Sequence, residues 1–196
     1  PAADLKPASS FPDFNKVVAH GTYNKASGQF DGYVEGYMEI PDMEKFIGLT
    51  TGRRSDLFGK LPKITTVNYK PGAGDAGRLR YILDPGALVP RLFSYSITTT
   101  VVKGPNSVQT NWNNAGKVEY APDGKPYTFF DKNDGFWRAE AVPGYKNLYR
   151  VRFEAHTITN LKSIPDEGAA VPESKIQEES TKDIKAIWSK AKVLAK

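Results

Sequence analysis

The sequence contains no cysteine, which removes disulfides, a thiol nucleophile, a thiolate metal site and a lipoprotein anchor from its chemistry. Long apolar runs are missing too. The longest span only a few residues, far short of the roughly 20 that a helix needs to cross a bilayer. Histidine is scarce: His20 and His156 are the only two, set far apart, with no second histidine or carboxylate at metal-ligand spacing. No zinc site and no cofactor are therefore expected. Charge of one sign is not dominant either, since 27 basic residues stand against 22 acidic ones for a net +5, and that balance demands no nucleic-acid partner. A G-x-S-x-G nucleophile elbow is also absent.

What is present is a globular composition, with 39% hydrophobic, 12% aromatic and 25% charged residues, too aromatic for a disordered chain. A length of 196 residues suits one domain with a substantial core. The sequence opens on Pro1-Ala2-Ala3, a small-residue start of the kind that signal-peptide cleavage leaves. With the missing cysteine, it sets the expectation of a periplasmic or secreted protein. Residues 1–29 read as an N-terminal extension and 30–196 as the domain. Residues 1–15, with Pro1, Pro7, Ser9, Ser10 and Pro12, lack periodicity and are expected to run over the surface.

The first clear pattern is Tyr33 to Ile40, where Glu35 and Glu39 alternate with Val34, Met38 and Ile40; this predicts a half-buried strand. Asp42 then caps an apolar pattern at helical spacing over Met43 to Leu49, and Arg53 to Phe58 extends the excursion. From Ile64 onward the chain reads as three hairpins. Ile64–Tyr69 pairs with Leu79–Leu83, Leu92–Val102 with Ser107–Asn113, and Phe136–Val142 with Leu148–Thr157. The stretch Ile164–Glu179 is expected to loop back, and Ser180-Thr181-Lys182-Asp183 to open a terminal helix with Ile184, Ile187, Trp188, Ala191 and Leu194 on one face. Gly72-Ala73-Gly74-Asp75-Ala76-Gly77 matches G-x-G-x-x-G, but a strand follows it where a phosphate-binding helix would have to open, so it reads as a hairpin turn.

Strand, short helices, hairpins and a final amphipathic helix make an α+β pattern, not a βαβ one. Along Phe93 to Val101, Phe93, Tyr95, Ile97, Thr99 and Val101 share one face, and Ser94, Ser96, Thr98 and Thr100 the other. The apolar face must be covered, and the terminal helix is the main cover available. A twisted sheet of about seven strands curls around such a helix and can enclose a cavity.

Two stretches carry a resemblance to a known family. Met38-Glu39-Ile40-Pro41 followed by Asp42-Met43-Glu44-Lys45-Phe46 resembles the first strand and helix entry of the START-like, or SRPBCC, helix-grip superfamily, which includes the birch-pollen-allergen-like proteins. Gly135 to Gly144, continuing into Asn147 to Phe153, resembles its late hairpin. The likeness covers roughly residues 30 to 195 and implies a curved antiparallel sheet wrapped around a C-terminal helix, with short helices after the first strand. Members bind sterols, phospholipids, plant hormones or polyketides, and some are cyclases or hydratases, so the resemblance implies a hydrophobic pocket before any activity.

The inward candidates for such a pocket are Tyr69, Tyr81, Phe93, Tyr95, Trp112, Trp137, Tyr149, Phe153 and Trp188, whose O–H and N–H groups need partners. Arg78, Arg80, Arg138, Arg150 and Arg152 alternate with apolar residues and read as an outer face paired with Glu140 and Glu154. Arg80 is the candidate to turn inward onto a ligand's carboxylate or phosphate. His156 shares a face with Arg152 and Glu154 and is expected to point outward. The apolar loop Pro85–Pro90 is a candidate gate.

The expected function is a carrier for a lipid-like or aromatic ligand. The alternatives are a cyclase- or hydratase-type enzyme on the same scaffold, or a ligand-free module touching an anionic membrane surface. An open interior favours the first, a polar pair inside the cavity the second, and a filled interior the third.

Overall fold

The computed structural model describes residues 4–84, 93–114, 130–159 and 170–196, with the backbone alone at 66, 93 and 94. In chain order its elements are β1 (Lys6–Pro7), a 3-10 turn (Ala8–Ser10), β2 (Val17–Asn24), β3 (Gln29–Glu39), α1 (Met43–Thr51), α2 (Ser55–Phe58), β4 (Ile64–Pro71), β5 (Gly77–Leu83), β6 (Phe93–Lys103), β7 (Ser107–Asn114), β8 (Phe130–Ala141), β9 (Tyr145–Lys146), β10 (Leu148–Thr159) and α3 (Glu173–Leu194). The candidate gate Pro85–Pro90 lies outside the described residues.

Eight strands form one curved antiparallel sheet in the order β2-β3-β10-β8-β7-β6-β5-β4, one more than the seven expected. The addition is β2, which falls in the stretch read as an extension. It is an edge strand, exposed along much of its length, and Gly21 and the polar residues around it blur the alternation that marks β3. Strands β4 to β8 follow one another as a meander. β10 then returns between β8 and β3, so that the last strand bonds to an early one.

Local chemistry sets the helix ends. The Asp42 carboxylate accepts the Lys45 amide at the start of α1, and Gly52 at φ 76° closes the helix in the left-handed conformation that suits glycine. The terminal helix begins at Glu173, seven residues before Ser180, which corrects the reading of Ile164–Glu179 as loop throughout. Pro172 sits at its N-cap with Glu173 in the first turn, where a carboxylate meets the positive end of the helix dipole. Lys175–Glu179 at 3.0 Å and Lys182–Glu178 at 2.9 Å brace the following turns. Thr181 caps nothing; its hydroxyl donates to the Gln177 carbonyl inside the helix.

The main core lies between the concave face of the sheet and α1, α2 and α3. Its fully buried members include Val34, Met38, Ile40, Phe46, Leu49, Leu79, Val151 and Trp188. The N-terminal segment is not simply surface chain: Ala8 and Phe14 are buried with Leu148 in a second small core that Phe11, Tyr37, Val142 and Tyr145 flank. Strand β1 anchors that segment by pairing in parallel with β9.

How closely α3 lies on the sheet is set by residues without side chains. A Cβ at Gly36 would lie 2.6 Å from the Trp188 ring, and one at Gly32 2.8 Å from Ile184 Cδ1. The helix therefore rests against the backbone of β3, and the Trp188 indole N–H reaches across to the Val151 carbonyl of β10 at 3.1 Å. Gly36→Val should overpack this contact and lower stability by about 1–3 kcal/mol, read as a lower urea midpoint. An unchanged midpoint would show that the helix does not sit so close.

Candidate functional site

Side chains on the concave face alternate along each strand, and the register aligns them in rungs across the sheet. One rung carries Gly36, Val151, Ala139 and Val108, and the next Val34, Phe153, Trp137 and Thr110. The following rung is small: Gly21, Gly32, Ala155 and Gly135, ending at Trp112. Beyond it come Tyr23, Phe30, Thr157 and Asn133. The glycines of the small rung lie under neighbouring side chains, Gly135 under the Trp112 ring and Gly32 under Phe30 and Ile184, and beyond them sheet and helix leave a space.

That space is a cavity of about 300 Å³, within the range of small-molecule pockets. Its sheet wall is formed chiefly by Phe30, Phe153, Ala155, Trp137, Trp112 and Ile97; Ile176, Ile184 and Ile187 of α3 and Phe58 and Leu61 near α2 close over it. The rings interlock, with Trp137 4.3 Å from Phe153 and Trp112 stacked on Phe153 at 5.4 Å. Polar groups are few. The Trp112 indole N–H donates to Asn133 Oδ1 at 3.1 Å, and the Thr50 hydroxyl donates to its own helix at Phe46. Lys63 and Asp183, both lining residues, meet at 2.9 Å between the start of β4 and α3. Burial, with the charge of Glu173 nearby, pushes the Tyr23 phenol above its ordinary 10.0, so it stays a neutral hydroxyl at physiological pH.

No protein-family model matches the sequence, and no curated protein does. Solved structures do share the architecture. Human StAR-related lipid transfer protein 5 superposes with a TM-score of 0.65 at 12% identity, covering 94% of this chain and 84% of that one. A STAR-related lipid transfer protein from Xanthomonas axonopodis gives 0.63 at 9%, covering 94% and 96%. The Zhui aromatase/cyclase from Streptomyces gives 0.52 at 13%, covering 86% and 96%. The chain has the helix-grip fold that these structures share. At these identities the likeness establishes the fold alone.

Of the aromatic residues singled out from the sequence, the helix-grip cavity gathers Tyr81, Trp112, Trp137 and Phe153 on its wall. Tyr95 is buried just behind, 5.7 Å from Tyr81 and stacked at 5.3 Å on Phe130, which does line the space. Tyr69 and Tyr149 pack half-buried against the core, and Trp188 is wholly buried under the helix at the filled end. The Phe93 side chain lies outside the described residues. Arg80 is not turned inward: Leu79 is buried and Tyr81 lines the cavity, so alternation places Arg80 on the exposed outer face. Sequence reading missed Tyr23, Phe30 and Asn133. The first two sit on a hairpin assigned to the extension or just past it, and Lys132-Asn133-Asp134-Gly135 has the composition of a turn.

The G-x-G-x-x-G stretch is a hairpin turn, closed by Gly72 N–H to Ala76 O at 2.8 Å with Gly74 at φ 59°. Among the described residues there is no group of three metal-ligating side chains, and no helix there is long and apolar enough to cross a membrane.

On the convex face the arginines pair as expected: Arg152 with Glu154 at 2.9 Å and Glu35 at 3.3 Å, Arg150 with Glu140 at 3.1 Å. Arg152 also lies 4.0 Å over the Tyr33 ring. His156 belongs to this network, with Asp31 at 2.5 Å on Nδ1 and Glu154 at 2.8 Å on Nε2. Burial alone would lower its pKa, but the hydrogen bonds and charges of Asp31 and Glu154 outweigh that and hold it above 6.5. Asp31 and Glu154 are correspondingly held low, burial opposing and the bonds from His156, Gln29 and Arg152 prevailing.

The raised histidine contributes stability that is complete below about 6.5 and is lost as pH rises through its folded value. The two carboxylates contribute above their ordinary values of 3.8 and 4.5 and lose this as pH falls through their folded ones. Urea midpoints taken at pH 6 and pH 9 should therefore fall for the native protein and change less for His156→Gln. Equal slopes would remove His156 from the network.

Proposed function

We propose that this protein binds a hydrophobic, aromatic or lipid-like small molecule inside the cavity and acts as its carrier. The observation that carries the reading is the unfilled space itself: about 300 Å³ bounded mostly by aromatic and aliphatic side chains, in a molecule whose other end is packed solid around Trp188. Well-packed interiors leave few voids larger than a water molecule, and an apolar one of this size is not well satisfied by water. A ligand would recover the contacts that the lining rings otherwise lack.

The solved proteins whose names speak of lipid transfer share this fold, which supports a lipid-like occupant; the aromatase/cyclase supports an aromatic one. The volume is at the small end for ligand pockets and favours a compact ring system or a single short chain. A reaction would need an acid–base pair facing the ligand. The charged lining groups among the described residues, Lys63 and Asp183, neutralise one another at 2.9 Å.

Thr157 projects into the space from β10, so Thr157→Trp should fill it. The native protein should take up one equivalent of a neutral fluorescent probe such as N-phenyl-1-naphthylamine. The variant should bind it at least roughly tenfold more weakly, a loss of about 1.4 kcal/mol, while its far-ultraviolet circular dichroism stays native. Undiminished uptake by the filled variant would place the binding site elsewhere.

A further inference from the structure

The cavity wall carries few polar side chains, and at one of them, Asn133, the hydrogen bonding is incomplete. Asn133 lies on the concave face of β8, 9% exposed, and lines the cavity. Its Oδ1 accepts the Trp112 indole N–H at 3.1 Å. An indole nitrogen can only donate, so this bond fixes which way the amide faces: the oxygen toward Trp112, the NH2 group away from it. That Nδ2 has no hydrogen-bond partner among the described residues. Nor is it sealed from probe-sized space as Asn114 Oδ1 is, which is buried with no partner. Thr157, directly opposite Asn133 on β10, also lines the cavity. An unfilled donor thus faces the cavity from a mostly apolar stretch of wall, with the Thr157 hydroxyl at the same level.

Resting on the reading of the cavity as a hydrophobic ligand site, we propose that Asn133 is its polar anchor and selects an uncharged aromatic or lipid-like ligand that carries a hydroxyl group. The Asn133 NH2 donates to the ligand oxygen, and the Thr157 hydroxyl, opposite it on the same cavity wall, can accept a hydrogen bond from the ligand hydroxyl. Filling the cavity with a pure hydrocarbon would dry the amide without giving it a partner, and a buried donor left unmade is costly. Sites built to hydrogen-bond a hydroxyl therefore reject analogues that lack it. A carboxylate is disfavoured for another reason: it would lose its hydration for one neutral amide, while the lining cation Lys63 is engaged by Asp183 at 2.9 Å. Asn133 is in this account a specificity-determining residue.

The test uses the intact chain and three probes of one ring system, 2-naphthol, naphthalene and 2-naphthoate, measured by equilibrium dialysis. The native protein should hold 2-naphthol at least tenfold tighter than either of the others. Asn133→Leu should bring naphthol and naphthalene to within threefold of each other by weakening the former. Because that variant also strips Trp112 of its acceptor and could fail to fold, a second measurement needs no variant. The assigned Asn133 side-chain NH2 resonances of the native protein should shift with 2-naphthol and stay in place with naphthalene. If native protein binds naphthol and naphthalene alike, or prefers the carboxylate, or if the amide resonances ignore naphthol, the anchor is overturned while the hydrophobic site stands. If no probe binds at all, both readings fall together.

Discussion

The rest of the structure depends on the contact between α3 and the bare backbone of β3. Gly36 under Trp188 and Gly32 under Ile184 let the helix settle onto the sheet at distances that a Cβ at either position would forbid. The Trp188 bond to the Val151 carbonyl then pins it to the neighbouring strand. Once the helix is seated over β2 and β3, it cannot also cover the remaining strands of an eight-stranded sheet. The short helices α1 and α2 fill part of that gap. Phe46 of α1 meets Trp137 edge-on at 6.3 Å and closes one end, and what is left at the other end is the cavity.

The two faces of the sheet therefore do different work. On the concave face the small rung lets Trp112, Phe30 and Ile184 lie close over the sheet, and open space begins beyond these side chains. The convex face is a lattice of cross-strand ion pairs around Arg152, Glu154 and His156, closed at one end by the N-terminal segment on Leu148. Exposed pairs of this kind each contribute little, but alternation keeps every one of these charges away from the apolar side.

Much of this was legible in the sequence. Strict alternation located β3, β6 and β10, Asp42 located α1, and the spacing of Ile184, Trp188 and Ala191 identified the buried face of α3. The resemblance in Met38–Phe46 and in Gly135–Phe153 pointed to the helix-grip fold that the solved structures share. What periodicity could not reveal is register. Tyr23, Phe30, Thr157 and Asn133 come from four strands, and only strand pairing brings them onto one rung. For the same reason Asn133 was not among the pocket candidates and Trp188 was. Arg80 was misplaced because an inward arginine was sought for chemical reasons, although Leu79 and Tyr81 on either side already claimed the inner face. The early start of α3 was hidden by Ser180-Thr181, which imitate a helix cap although the helix already begins at Glu173 with no side-chain cap.

The central claim is that the space beside α3 is built to be occupied. The most direct measurement is native mass spectrometry of the protein purified gently from its own host, followed by organic extraction of whatever travels with it. The account predicts one small hydrophobic molecule per chain, released by solvent. A protein that is empty from its own host and indifferent to a panel of lipids and aromatics would contradict it.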